Sequence, residues 1–149
     1  MMTVCQLCDQ WVTQLTTFLL TLEEEFVVLK RNEADAIATI AECKLHLLSQ
    51  LSETESALLK FNDLAAGMSV TAWLLSACPH NPSAQQLSAL SEQIQRANQR
   101  NGMLLQSLMR LNEFGLNLLS GKIKKQDTYG AKGQLNATTP ISSLTLATA

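Results

Sequence analysis

The chain has 149 residues and a formal net charge of −2, and only 16% of its residues are charged although 46% are hydrophobic. Aromatic residues (5%), glycines (6) and prolines (3) are scarce, which argues against a turn-rich β-barrel or sandwich. A pI near 5.6 argues against a dedicated nucleic-acid binder, and the apolar content is too high for a fully disordered chain. The composition therefore predicts one leucine-rich helical domain.

The first predicted helix covers residues 3–31. Its apolar residues recur at spacings of three and four, which is typical of a helix with one buried stripe close to a heptad seam. The stripe consists of Val4, Cys8, Trp11, Leu15, Phe18, Leu22, Phe26 and Leu29. Consecutive residues point about 100° apart on a helix, so we interpret Glu23, Glu24 and Glu25 as a solvated face rather than a carboxylate site.

The second predicted helix covers residues 33–66 and follows a break at Asn32. The same alternation of spacings continues, and only two members of the stripe are polar. The stripe consists of Ile37, Ile40, Lys44, Leu47, Leu51, Thr54, Leu58, Phe61 and Ala65. Lys44 is expected to bury its methylene stem and to keep its ammonium group in water. Gly67 supplies a helix stop.

Residues 67–83 form a connection before the third helix. Residues 69–75 are expected to form a short helical turn that covers one end of the bundle. Residues 78–82 contain two prolines, which predicts a loop because proline interrupts helical hydrogen bonding. Ser83 is then predicted to be the N-cap of the next helix.

The third predicted helix covers residues 84–119. Its stripe consists of Leu87, Leu90, Ile94, Ala97, Asn101, Leu104, Leu108, Leu111, Gly115 and Leu118. Asn101 in the seam is expected to fix the register, whereas Gly102 and Gly115 would permit either a close helix approach or a local bend. Leu111 and Leu118 are expected in the intramolecular core. Phe114 lies off the seam and is a better candidate for contact with a partner.

Three segments of similar length predict an all-α fold over residues 1–119. We expect an elongated antiparallel helical hairpin or three-helix coiled-coil bundle. Residues 120–149 contain isolated apolar residues, and residues 133–149 carry no charge. This part has too little apolar surface to fold alone, so it is predicted to be a mobile C-terminal tail.

The cellular compartment determines the expected oxidation state of the four cysteines. The sequence shows neither a secretory signal pattern nor an apolar run long enough for a membrane span, so a cytoplasmic location is expected. In a reducing cytosol the cysteines are expected to be free thiols. An alternative is a Cys₃His zinc site, because an up-down-up bundle would bring Cys5, Cys8, Cys78 and His80 to one end.

The sequence offers little support for an enzyme. It contains no phosphate-binding glycine loop, no nucleophile elbow and no His-Glu-x-x-His motif, and each of these motifs supplies a defined catalytic geometry. His46 and His80 are the only histidines that could act as a base at neutral pH. We therefore expect a protein that is not an enzyme and needs no cofactor.

Two local patterns together resemble the FlgN-like flagellar export chaperones. The first is Asn98-Gln99-Arg100-Asn101-Gly102, late in the third helix, which matches the family's Asn-x-x-Asn-Gly stretch. The second is Tyr129-Gly130-Ala131-Lys132-Gly133-Gln134, which matches its Tyr-Gly-x-x-Gly-Gln pattern. The length and the plan of long helices followed by a tail agree with this resemblance.

The resemblance implies a cytoplasmic chaperone of the type III secretion class. Such chaperones bind hook-associated proteins, prevent their premature assembly and deliver them to the export gate at the membrane. The family binds its clients through the C-terminal portion, and its tyrosine is associated with docking on the cytoplasmic domain of the gate. The partner-binding residues that this implies here are Phe114, Leu118, Ile123, Tyr129, Gly130, Gly133 and Leu135.

Two other interpretations stay open from the sequence. The first is a coiled-coil structural or oligomerisation protein, because heptad seams serve intramolecular and intermolecular packing equally well. A homo-oligomer is therefore possible. The second is a small zinc-binding or redox-active bundle that uses the cysteines and His80. No nucleic-acid partner is expected.

Overall fold

The computed structural model describes residues 1–61 and 68–121, and these residues form four helices and no strand. The helices are α1 (Val4–Arg31), α2 (Ala34–Lys60), α3 (Val70–Ala77) and α4 (Pro82–Leu119). The predicted all-α fold is confirmed. None of the helices in these two ranges is long and apolar enough to span a membrane.

Helix α1 begins and ends with side-chain and backbone caps that the sequence encodes. The Thr3 hydroxyl accepts a hydrogen bond from the Gln6 backbone N–H, and the Gln6 side chain accepts one from the Thr3 N–H. This reciprocal arrangement satisfies two otherwise unpaired donors. At the other end, Asn32 adopts φ 53° and its N–H donates to the Leu29 carbonyl. Asn32 therefore ends α1 in a left-handed conformation that asparagine tolerates.

Helices α1 and α2 pack against each other as an antiparallel hairpin. Only two residues separate them, and such a short connection places consecutive helices side by side. The Lys44 ammonium group lies 2.9 Å from the Glu25 carboxylate, and the two side chains are only 20% and 13% exposed. The ammonium group therefore has a carboxylate partner on α1, which the sequence did not indicate.

The seam of α2 is buried around Leu51, Thr54 and Leu58. Thr54 is tolerated there because its hydroxyl donates to the Gln50 carbonyl at 3.1 Å. Phe61 is the C-cap of α2 and is exposed, so its predicted place in the seam is wrong. The end of the predicted second helix, residues 62–66, lies outside the described residues.

The connection contains one true helix, and α4 begins earlier than expected. Ser69 caps α3 by accepting a hydrogen bond from the Ala72 N–H, which confirms the predicted helical turn. Helix α4 starts at Pro82, with the Asn81 side-chain oxygen accepting from the Ser83 N–H at 2.7 Å. The predicted start at residue 84 with Ser83 as N-cap is therefore wrong. Proline is favourable at the first helical position because its fixed φ fits and its missing N–H has no partner there.

All four helices contribute to one hydrophobic core. The buried core residues are Leu7, Cys8, Trp11, Val12, Phe18, Leu22, Leu51, Leu58, Leu74, Cys78, Ala84, Leu87, Ile94 and Ala97. They lie within a compact unit that covers residues 1–106, and a second unit begins at Ser107. The seam predictions for α1 and for the first part of α4 agree with this core. The predicted division at residue 120 stays a prediction.

Candidate functional site

The last three turns of α4 carry the candidate partner surface. We call residues 107–119 the exposed segment. Leu111, Phe114 and Leu118 are each more than half exposed, so the expectation that Leu111 and Leu118 lie in the intramolecular core is wrong. Both leucines continue the apolar stripe of α4, but the described residues do not bury these two side chains. The expectation that Phe114 is available to a partner agrees with its exposure.

The exposed segment has apolar side chains on more than one face. Leu111, Phe114 and Leu118 have spacings of three and four, so they share one face of the helix. Met109 and Leu116 are seven residues apart and share another, and both are also exposed. The polar residues Arg110, Glu113 and Asn117 form a third stripe between these two. Apolar surface of this kind on a helix is typical of a protein-binding site.

The first part of α4 is held by a polar junction at Asn101. We call residues 82–101 the anchored half. The Asn101 side chain is buried, and its amide donates to the Leu22 carbonyl at 2.7 Å and to the Glu25 carboxylate at 2.8 Å. Both amide hydrogens are therefore used. Since Glu25 also binds Lys44, the junction joins α1, α2 and α4 and fixes their register, as the sequence predicted for a polar residue in the seam.

Arg100 adds a second contact between α4 and α1. Its guanidinium group donates to the Glu23 carboxylate at 3.0 Å and lies 3.9 Å from the centroid of the Phe26 ring. Its Nε also donates to the Asn101 side-chain oxygen. The interpretation of Glu23–Glu25 as a solvated face is wrong for Glu25, which is largely buried in the junction. Glu23 remains half exposed but has an ionic partner.

Asn81 forms a similar junction at the start of the anchored half. Its amide donates to the Asp9 carboxylate at 2.9 Å and to the Cys5 carbonyl at 3.5 Å. Hydrogen bonds from Ser83 and from Asn81 hold the pKa of Asp9 below its usual value, because they stabilise the ionised carboxylate. The anchored half is therefore tied to α1 by one asparagine near each end.

The glycines of α4 do not mark a close helix approach. Among residues 1–61 and 68–121, a Cβ added at Gly102 or Gly115 would meet no atom within 4 Å, so the described helices do not approach either glycine closely. Of the other motif residues, Asn98 is half-buried and Asn101 is buried. Asn101, the second asparagine of the Asn98-x-x-Asn101-Gly102 motif, is therefore the residue that forms the junction.

The cysteines differ from the sequence prediction. Cys5 and Cys78 form a disulfide, whereas Cys8 and Cys43 are free. The expectation of four free thiols is therefore wrong for the first pair. The predicted proximity of Cys5 and Cys78 is correct, because α1 begins beside the α3–α4 connection.

The alternative zinc site does not fit this arrangement. A disulfide removes Cys5 and Cys78 as thiolate ligands. Burial, and secondly the charge of Asp9, raises the pKa of the Cys8 thiol, which disfavours its thiolate. Among residues 1–61 and 68–121, no three His, Cys, Asp or Glu side chains are grouped as metal ligands.

Several predicted partner residues lie outside the described residues. These are Ile123, Tyr129, Gly130, Gly133 and Leu135. The sequence did not indicate that Glu25, Arg100 and Asn81 would be junction partners. Their only sequence signal is a charge or an amide beside a seam, which does not indicate the residue on another helix that it will contact.

Comparison with known proteins identifies a family. A family model described as FlgN protein matches residues 1–137. No curated protein and no solved structure matches the chain.

Proposed function

The chain belongs to the FlgN family of flagellar export chaperones, and we propose that it binds hook-associated proteins through the exposed segment of α4. The observation that supports this proposal is the apolar surface around Leu111, Phe114 and Leu118. Clients that are kept from assembling present apolar helices, and a helix face with anchors at spacings of three and four fits such helices.

The mode of action that we propose is binding without catalysis. A bound client helix would cover apolar side chains of the exposed segment and would itself be shielded from other subunits. Burial of apolar surface on both sides supplies the affinity. The polar stripe around Arg110 and Glu113 would face water and keep the complex in solution. We place this binding in the cytoplasm, where a type III export chaperone meets its newly made clients.

Delivery is the second part of the proposal. Tyr129 matches the tyrosine of the family's Tyr-Gly-x-x-Gly-Gln pattern, and we assign it to docking on the cytoplasmic domain of the export gate. A Tyr129→Ala variant should then keep its affinity for the client and lose export of that client. Equal loss of affinity and of export would contradict a separate docking role.

The client proposal is tested with a fluorescent peptide that contains the terminal helix of a hook-associated protein. Phe114→Ala should weaken binding by about tenfold or more, as expected for an aromatic residue that contributes at least 1.4 kcal/mol. Leu118→Ser should weaken it in the same direction. Unchanged dissociation constants for both variants would contradict the assignment of the exposed segment.

Leu45→Ser is the matched control. Leu45 lies on α2 and is 67% exposed, compared with 55% for Leu118. Leu45→Ser therefore removes at least as much exposed apolar surface as Leu118→Ser does. Client affinity should not change in this variant. Light scattering of the protein without client tests the structural alternative: if Leu118→Ser dissociates a homo-oligomer and leaves client affinity unchanged, the exposed segment is an oligomerisation surface.

A further inference from the structure

We propose that Cys5 and Cys78 form a thiol–disulfide exchange site whose substrates are low-molecular-weight thiols and disulfides of the glutathione class. The pair joins the first turn of α1 to the residue that ends α3. Its Cα atoms are 5.9 Å apart, across 73 positions of sequence. Helices α1, α2 and α3 thus lie almost wholly within the closed loop. This site is independent of the client surface proposed above.

The two cysteines differ in exposure, which determines which of the two sulfurs an external thiolate attacks. Cys5 is half-buried, whereas Cys78 is 3% exposed and belongs to the hydrophobic core. An incoming thiolate would therefore attack the Cys5 sulfur. The bond between the two protein sulfurs breaks, the electron pair goes to the Cys78 sulfur, and that sulfur takes up a proton.

A second thiol completes the reduction. It attacks the mixed disulfide on Cys5 and releases the low-molecular-weight disulfide together with the Cys5 thiol. In total, two external thiols are oxidised to one disulfide, and one protein disulfide is reduced to two thiols. Closure is the reverse reaction, in which an external disulfide is the oxidant. A more reduced glutathione pool opens the pair, and a more oxidised pool closes it.

The other two cysteines can be distinguished from this pair by their exposure. Cys8 lies one turn after Cys5 on α1 but is fully buried, so an external thiol cannot reach it in the folded protein. Cys43 is exposed on α2 and lies near neither end of the closed loop in sequence. Because its thiol is exposed, Cys43 should form a mixed disulfide with glutathione in the oxidised sample and be a free thiol in dithiothreitol, which shows that each reagent has reacted.

Opening the disulfide should loosen this end of the bundle without unfolding it. Asn81 lies three residues after Cys78 and binds both the Cys5 carbonyl and the Asp9 carboxylate. Like the disulfide, these hydrogen bonds join α1 to the connection between α3 and α4. The hydrophobic core also includes Leu74 of α3 and Leu87 of α4, and this packing does not depend on the disulfide. The closed form should still be more stable, because cross-linking a long loop restricts the unfolded chain.

The test uses the full chain equilibrated with either glutathione disulfide or excess dithiothreitol. Alkylation after denaturation, followed by peptide mass spectrometry, should find Cys5 and Cys78 unmodified in the oxidised sample and alkylated in the reduced one, with Cys8 alkylated in both. Non-reducing peptide mapping should identify the Cys5–Cys78 pair. Alkylated Cys5 and Cys78 in both samples, or a Cys5–Cys8 pair, would overturn the proposal.

Thermal unfolding of the same two samples tests the structural consequence. The oxidised protein should melt about 5–15 °C above the reduced one, as expected for a disulfide that closes a long loop. Cys5→Ser should melt close to the reduced wild type in both conditions. The matched control Cys43→Ser should keep the full redox-dependent difference. An equal melting temperature for oxidised and reduced wild type would overturn the stabilising role.

Discussion

The two parts of α4 have the same sequence pattern but different surroundings. The anchored half, residues 82–101, contributes Ala84, Leu87, Ile94 and Ala97 to the core. The exposed segment, residues 107–119, continues the apolar stripe with Leu111 and Leu118, which remain exposed. A heptad stripe therefore identifies the apolar face of a helix, but it does not identify what covers that face. We propose that a client binds to this uncovered part.

The strongest way to test this comparison is to truncate one leucine in each part. Leu87 is completely buried, so Leu87→Ala should lower the free energy of unfolding by about 3 kcal/mol through lost burial and a cavity. Leu111→Ala should change it by no more than about 0.5 kcal/mol, as an exposed position does. Urea denaturation of both variants measures the difference. Similar losses in both would show that the exposed segment is packed in solution.

The junction at Asn101 marks the end of the anchored half and can be removed separately. Asn101→Ala deletes the hydrogen bonds to the Leu22 carbonyl and the Glu25 carboxylate, and should cost about 1–3 kcal/mol in unfolding free energy. A double-mutant cycle with Glu25→Gln should show a coupling energy of at least about 0.5 kcal/mol. Additive effects of the two substitutions would mean that the two side chains do not act together.

Gly102 lies just beyond the junction and provides a prediction of opposite sign. Its surroundings have room for a methyl group, and alanine has a higher helix propensity than glycine by up to about 1 kcal/mol. Gly102→Ala should therefore stabilise the protein by up to that amount in chemical denaturation. A loss of stability would show that the glycine is needed for a local bend.

The other end of the anchored half should give the smallest, pH-dependent effect. The pKa of Asp9 is lowered by hydrogen bonds from Ser83 and Asn81, so the ionised form favours the folded state. This stabilisation is present above the ordinary value of 3.8 and is lost as the pH falls through the lowered folded-state pKa. Asp9→Asn should melt below wild type at pH 6, and the gap should narrow towards pH 2. A constant gap would contradict this assignment.

Asn81→Ala is the control for this titration. It removes one of the two hydrogen bonds to Asp9, so adding Asp9→Asn to it should change the melting temperature less than in the wild-type background. Equal effects of Asp9→Asn in both backgrounds would show that Asn81 does not act through this carboxylate.

The sequence by itself determined the helices and most of their buried faces. The capping pair Thr3 and Gln6, the seam spacings and Asn32 are local features, and helix formation responds to local features. The resemblance in the Asn98–Gly102 and Tyr129–Gln134 patterns identified the family, which the match over residues 1–137 confirmed. Two prolines in residues 78–82 predict a loop, but Pro82 begins α4, because the effect of proline depends on its position in the helix.

Only the tertiary structure decided which groups on different helices meet. The pairing of Glu25 with Lys44 and Asn101, the Cys5–Cys78 disulfide and the exposure of Leu111 depend on how separate helices are placed. Hydrophobic periodicity indicates which face of a helix is apolar. It does not indicate which other helix packs against that face, or over what length. The contacts between helices, and the place where those contacts end, therefore had to come from the packed molecule.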